Sequence, residues 1–293
     1  MGYFPWNRLP KELRVNVLRH LTRTDLDNCH LLNRETFELI RRNEKFMKRR
    51  IIEFWDIQIY QINEECSLQM FGICSEVGIW RETLIPWGCS ILPKLLKNAT
   101  IQFLAILYRR VTDKILWSIS SCLLNVDCQV QKLAIVGTSV AAVTSSVFLE
   151  FLRKAAPTLI HISGIRDCSY DNFSPEVLEF IVTRPKFGIF AVSPEPFLMD
   201  DDILANVTAS VFTIGATTRI TADGIKSFVG GLASGKHELV RGKIRILSSP
   251  DSLRFPTSSN VAMSVITEER DSVPFLYVVI TATTRKTAKL KTC

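Results

Sequence analysis

Between about residues 100 and 250, short apolar segments recur at nearly even intervals, separated by longer stretches in which apolar and polar residues mix. They are QFLAIL (Gln102–Leu107), KLAIV (Lys132–Val136), LIHIS (Leu159–Ser163), GIFAV (Gly188–Val192), VFTIG (Val211–Gly215) and KIRIL (Lys243–Leu247). Apolar residues two apart within each predict a strand with one face to bury. Aligned on Leu104, Leu133, Ile160, Phe190, Phe212 and Ile244, successive segments are 22 to 32 residues apart. The stretches between them carry helix-start signals: Thr112-Asp113 before KILWSISSCLL, Ser174-Pro175 before EVLEFIV, the acids Asp200–Asp202 before ILANV, and Thr221 before ADGIKSFV. The pattern predicts an α/β fold over residues 100–250, built as a stack of parallel strand–helix units. An ordinary α/β domain would show the same alternation. Gly215, Gly224, Gly230, Gly231 and Gly235 are expected to serve turns.

The flanks read differently. Near the start, Pro10 suits the first turn of a helix whose stripe is Leu13, Val17, Leu18 and Leu21. Thr24-Asp-Leu-Asp27 has the capping-box form and opens a short second helix carrying Leu26, Cys29 and Leu32. A third helix begins near Asn33, and its apolar positions Phe37, Ile40, Met47, Ile51 and Phe54 extend it as a stalk toward Trp55. Residues 49–99 are expected to form a helical linker or cap, with helix around Leu84–Leu96. Residues 251–293 are expected to hold a loop reaching to Arg270, a strand FLYVVITAT (Phe275–Thr283) and a basic tail with Arg285, Lys286, Lys289 and Lys291.

The order Leu9-Pro10-x-Glu12-Leu13, Val17-Leu18, Leu21, Asp25-Leu26, Leu32-Asn33-Arg34 and Leu39 resembles the F-box motif over about 40 residues without gaps. The resemblance implies a three-helix docking module over residues 1–48, one that binds the Skp-type adaptor of a cullin-RING (SCF) ubiquitin ligase. By position, the adaptor-binding residues would be Leu9, Pro10, Leu13, Val17, Leu18, Leu21 and Leu26. Thr36 stands where the family usually has Trp, and the neighbouring Phe37 is expected to fill that space. The strand–helix rhythm resembles leucine-rich repeats in degenerate form. Val130-x-x-Leu133-x-Ile135-x-x-Thr138 and Phe187-x-x-Phe190-x-Val192-x-x-Glu195 keep the apolar sites of that repeat, and neither has its asparagine. Ser227–Ile246 also looks like the C-terminal regions of nematode F-box proteins. Together these imply a non-catalytic substrate-recognition subunit: the F-box holds the ligase core, and the repeat-like body captures an unknown protein target. On a repeat stack, the candidate target-binding residues are those flanking the buried strand positions, namely Lys132, His161, Ser163, Thr213, Lys243 and Arg245.

Charge qualifies this picture. Residues 1–50 hold twelve Lys or Arg against six Asp or Glu, almost all of the chain's net +7. A nucleic-acid-binding protein is the alternative, with RRNEKFMKRR (Arg41–Arg50) on phosphates, but such a reader has no need of the Leu-Pro-x-Glu pattern. The eight cysteines form no C-x-x-C pair, and with four histidines they make no zinc spacing. Gly230-Gly-Leu-Ala-Ser-Gly235-Lys236-His237 is one residue short of a phosphate loop, has His for the required hydroxyl, and leads from helix to strand, the reverse of the needed order. Asp200–Asp202 is read as an anionic helix start rather than a cation site. No catalytic residue, metal or cofactor is expected. No apolar run exceeds six residues, so no membrane partner is expected and the location is cytoplasmic and/or nuclear.

Overall fold

The computed structural model describes residues 5–29, 31–62, 65–74, 78–84, 96–107, 110–124, 128–165, 172–191, 199–235, 238–246, 261–270 and 273–282. Among them are eight α-helices and thirteen strands in a mixed α/β fold. Helices α1 (Lys11–Leu18), α2 (Arg23–Cys29) and α3 (Arg34–Arg42) come first, followed by strands β1 (Arg50–Ile62), β2 (Glu65–Cys74), β3 (Gly78–Leu84) and β4 (Ala99–Leu107). Next come β5 (Arg110–Thr112), α4 (Asp113–Leu124), β6 (Gln129–Val136), β7 (Ser139–Ala142), α5 (Ser145–Ala155) and β8 (Leu159–Ile165). The chain continues through α6 (Pro175–Val182), β9 (Lys186–Ala191), α7 (Asp201–Ala205), β10 (Val211–Ile214) and α8 (Ala222–Ala233). It closes with β11 (Arg241–Ile246), β12 (Val261–Arg270) and β13 (Val273–Ala282).

Eleven strands form one sheet in the order β12-β13-β11-β10-β9-β8-β6-β4-β1-β2-β3, and β5 pairs with β7 apart from it. Strands β1, β4, β6, β8, β9, β10 and β11 run parallel and stand in chain order, with no reversal. Antiparallel hairpins flank them, β2–β3 on one side and β13–β12 on the other.

Register sets the core. Ile57, Ile106, Ile135, Ile162, Ile189, Ile214 and Ile244 are successive partners across the seven parallel strands, and Val278 continues the rung on β13. All of these side chains are buried. A second rung, Trp55, Leu104, Leu133, Ile160, Phe187 and Phe212, lies two residues earlier and ends at Gly242. A Cβ on Gly242 would come 2.6 Å from the Phe212 ring, so the missing side chain makes room for that ring. The buried residues of α4 through α8 join both rungs in one apolar cluster, so all five helices cover the same face. Full burial of each isoleucine is worth about 2 kcal/mol, and β-branched residues suit the pleated surface.

The helices are tied to one another by a recurring device. Asp113, at the start of α4, accepts from the amide (2.7 Å) and hydroxyl (3.0 Å) of Thr144, the N-cap residue of α5. Asp201, at the start of α7, does the same for Thr221, the N-cap of α8, at 2.8 and 2.6 Å. Between strands, hydroxyls reach back to the previous unit: Thr158 donates to the Gln131 carbonyl (2.8 Å) and Ser210 to that of Pro185 (3.1 Å). These bonds satisfy backbone carbonyls at the sheet end where the parallel strands begin.

The three N-terminal helices enclose their own small core of Leu18, Leu26, Ile40 and Met47. A charge network joins them to the sheet. Arg23 on α2 donates to Asp27 (3.0 Å) and to Glu44, and Arg50, the first residue of β1, donates to the other oxygen of Asp27 at 2.6 Å. Asn98, just before β4, donates to Glu44 and accepts the Arg50 amide at 3.1 Å. Asn98 has φ +50°, a left-handed conformation that asparagine tolerates. Both arginines are nearly buried, and two carboxylates balance them.

Several expectations are corrected. Helix α3 ends at Arg42, Met47 closes the small core, and Ile51 and Phe54 lie on β1 instead of a helical stalk. The linker expected to be helical over 49–99 instead holds β1, β2 and β3. The run RIIEFWDIQIYQI is dense in β-branched and aromatic residues, and its pairing with β2 and β4 overrides the weak spacing of three and seven. Of the helix expected around Leu84–Leu96, residues 85–95 lie outside the described residues and Leu84 ends β3. The loop expected up to Arg270 is strand β12 from Val261 onward. Phe190 belongs to neither core rung: it pairs with Ser163 and faces the other side, and Phe187 takes its place. In the observed register successive units are 25 to 30 residues apart, more even than the first alignment. Gly224, Gly230 and Gly231 lie within α8, whereas Gly235, with φ +82°, does form a turn. Helix α5 has no counterpart among the expected helices, although Phe148, Phe151, Leu152 and Ala155 have helical spacing. Val192, Glu195, Leu247, His30, Lys236, His237 and the basic tail lie outside the described residues.

Two stability predictions follow from these contacts. A Cβ on Gly224 would come 1.9 Å from the Asp201 carboxylate, so Gly224→Ala should destabilise the native chain by displacing it from Thr221. In an Asp201→Ala background the same change should become neutral or stabilising by up to about 1 kcal/mol, the helix preference of Ala over Gly; a thermal-melt double-mutant cycle reads the sign change. Glu44→Ala strips a partner from the buried Arg23 and should cost about 3 kcal/mol in urea unfolding, as broken buried ion pairs do.

Candidate interaction surfaces

Helix α1 presents three distinct faces. Leu18, 1% exposed, points into the small core, and Arg14 lies beside it, nearly buried and paired with Glu35 of α3 at 2.7 Å. A second face, with Lys11, Val15 and Arg19, lines a groove of about 840 Å³ against Leu39, Arg42 and Phe46. The third carries Leu13 and Val17, 49% and 46% exposed, with Pro10 exposed at the helix start. Leu31 and Leu32, just after α2, are 84% and 71% exposed.

The seven residues expected to bind an adaptor are therefore divided. Pro10, Leu13 and Val17 meet solvent, and Leu9 and Leu21 are half-buried. Leu18 and Leu26 (0% exposed) sit inside the module and offer no surface. The short second helix expected to carry Leu32 stops at Cys29, and Leu32 beyond it is exposed. Thr36 is itself buried while Phe37 is 39% exposed, so Phe37 does not fill the space inside. Burial, reinforced by Asp25, pushes the Cys29 thiol above its usual pKa, which disfavours a reactive thiolate.

The basic run is not a single cationic face. Arg41 and Arg42 pair with Glu38, Lys48 donates to the His20 carbonyl, and Arg50 is buried on Asp27. Arg41 and Arg42 lie in the last turn of α3, whereas Arg50 begins β1. Asp200 accepts from the Ile203 amide at 3.0 Å and Asp201 holds Thr221, so two of the three acids have structural partners. Among the described residues, no group of three or more His, Cys, Asp or Glu could hold a metal ion, and no helix is long and apolar enough to cross a membrane.

The sheet's second face carries no helix among the described residues, and all six candidate target-binding residues lie on it. His161, Thr213 and Lys243 share one register row, with Gly188 between His161 and Thr213. The glycine admits the imidazole: a Cβ there would come 3.1 Å from His161 Nδ1. Phe190 likewise lies over Gly215, and its ring centre is 5.5 Å from that of His161. Lys243 Nζ sits 4.0 Å from the Tyr277 ring centre, a cation–π contact. Burial pushes the Arg245 guanidinium below its usual pKa, with Tyr277 opposing. Ser163 is half-buried beside Phe190, and Lys132 is exposed at the strand starts.

Two further cations, Lys186 and Arg241, lie in the row of Lys132 and were missed. Each stands two residues before the strand start read from sequence. Strands β6, β8, β9, β10 and β11 contain five Lys or Arg and no Asp or Glu. Compared with known proteins, the chain matches no family model and no curated sequence.

Proposed function

We propose that this chain is the substrate-recognition subunit of an SCF-type ubiquitin ligase, with α1–α3 acting as an F-box toward a Skp-type adaptor and the sheet face opposite α4–α8 receiving the target. The observation that carries the reading is the solvent-facing stripe of Pro10, Leu13 and Val17, with Leu31 and Leu32 also exposed, on a module whose own core is already filled. Exposed apolar residues grouped on a small module mark a partner surface. The sequential order of the parallel strands supports a degenerate leucine-rich-repeat-like solenoid for the body, since an open doubly wound sheet reverses its order. Hydroxyls of Thr158 and Ser210 tie unit to unit where such repeats commonly use asparagine.

In this role the protein performs no bond chemistry. It raises the local concentration of target lysines near a charged conjugating enzyme held elsewhere in the complex. The charge network of Arg23, Asp27, Glu44, Arg50 and Asn98 keeps the docking module fixed on the sheet end where β1 and β4 begin. A captured target is thereby held at a defined distance from the ligase core.

The test is co-purification of the full chain with a Skp-type adaptor. Leu13→Ala with Val17→Ala trims half-exposed side chains that lie outside the small core of Leu18, Leu26, Ile40 and Met47, so the fold should survive by circular dichroism while adaptor affinity falls roughly tenfold or more. A wild-type chain that fails to bind the adaptor, or a variant that binds equally well, would remove this reading.

A further inference from the structure

Near the starts of the parallel strands, one row of the sheet's second face, which carries no helix among the described residues, is alternately cationic and aliphatic. Lys132 on β6, Leu159 on β8, Lys186 on β9, Val211 on β10 and Arg241 on β11 are successive register partners. The three cations are exposed and the two aliphatic residues half-buried. None of the three has an ion-pair partner among the described residues.

We propose that this row is a docking track for an acidic segment of a protein target, in which carboxylates recur with aliphatic side chains between them; the assignment rests on the adaptor reading above. Neighbouring strands are about 4.8 Å apart, so the cations recur at about 10 Å. Seven residues of α-helix advance about 10.5 Å and one turn about 5.4 Å. A helix lying across the strands, with an acid every seventh residue and leucines one turn after each, sets acids over Lys132, Lys186 and Arg241. Its leucines then meet Leu159 and Val211. Opposite charges steer and orient such a segment, and the aliphatic contacts hold it.

The same row is poorly made for nucleic acid. Single strands are gripped by a basic groove with aromatic platforms on which bases stack. Here the residues between the cations are aliphatic, and the stacked pair Phe54 and Phe103 lies at the row's end, beyond Lys132.

The experiment uses the full chain and fluorescence anisotropy. The probe is a labelled helical peptide with Glu at every seventh residue and Leu between, alongside a Gln-for-Glu version and a single-stranded DNA oligonucleotide. The Glu peptide should bind in preference to the Gln peptide and weaken as salt screens the charges. Lys132→Glu, Lys186→Glu and Arg241→Glu together should reduce binding roughly tenfold or more, with the all-Gln triple variant intermediate. Both variants alter exposed residues and should retain Skp-type adaptor binding, which keeps failure of the track separate from failure of the adaptor reading. Absent Glu-peptide binding, equal binding of the Gln peptide, insensitivity to both variants, or tighter binding of the oligonucleotide would each overturn the proposal.

Discussion

One shared register, an isoleucine from each of seven parallel strands at the same height, fixes most of what this molecule presents to its surroundings. Because side chains alternate along a strand, burying one rung under helices commits the residues beside it to the opposite face. Chain-order stacking then repeats that commitment from unit to unit. Lys132, Lys186 and Arg241 are aligned because Leu133, Phe187 and Gly242 are aligned one residue further on. The second face thus inherits its order from the one that α4–α8 cover.

The five helices could settle on one face because each unit closes on the next through polar bonds as well as apolar packing. Asp113 to Thr144 and Asp201 to Thr221 use the first acid of one helix to hold the N-cap residue of the next. In each pair the carboxylate lies near the positive ends of two helix dipoles and also satisfies an amide left unpaired at the helix start. Gly224 is constrained by that arrangement rather than by backbone conformation, since only a residue without Cβ leaves the Asp201 carboxylate its place.

Much of the α/β body was legible because its signals are local: strands with apolar residues two apart, and helices announced by Asp, Thr or Ser-Pro. What failed depended on partners remote in sequence. RIIEFWDIQIYQI carries apolar spacings that a helix can also satisfy, and only pairing with β2 and β4 decides for strand. Phe190 looks like a core residue beside Ile189, and the neighbouring strand's register alone assigns it to the other face. The candidate surface was legible to the extent that alternation predicts it. Lys132, His161, Ser163, Thr213, Lys243 and Arg245 lie beside buried neighbours as alternation expects, whereas Lys186 and Arg241 stand at strand starts that only the neighbouring strands' register defines. In the N-terminal module, heptad-like spacing could not separate Leu18 from Val17, because three faces of one short helix are all partly apolar.

That division within α1 explains why the module depends on the sheet. Four buried apolar residues make too small a core for independent stability, and the stripe containing Leu13 and Val17 adds nothing to it while it faces solvent. A charge network attaches the module to the sheet, with Arg23 and Arg50 sharing Asp27 while Glu44 bridges Arg23 to Asn98. Buried charges of this kind contribute modestly to net stability but penalise any arrangement that separates them. Swinging the module away from the sheet would part Arg50 from Asp27 and Asn98 from Glu44 while Arg23 keeps both carboxylates, so the network acts on orientation more than on folding. In the proposed adaptor role, a stripe held in this way would engage its partner without altering the geometry of the sheet behind it.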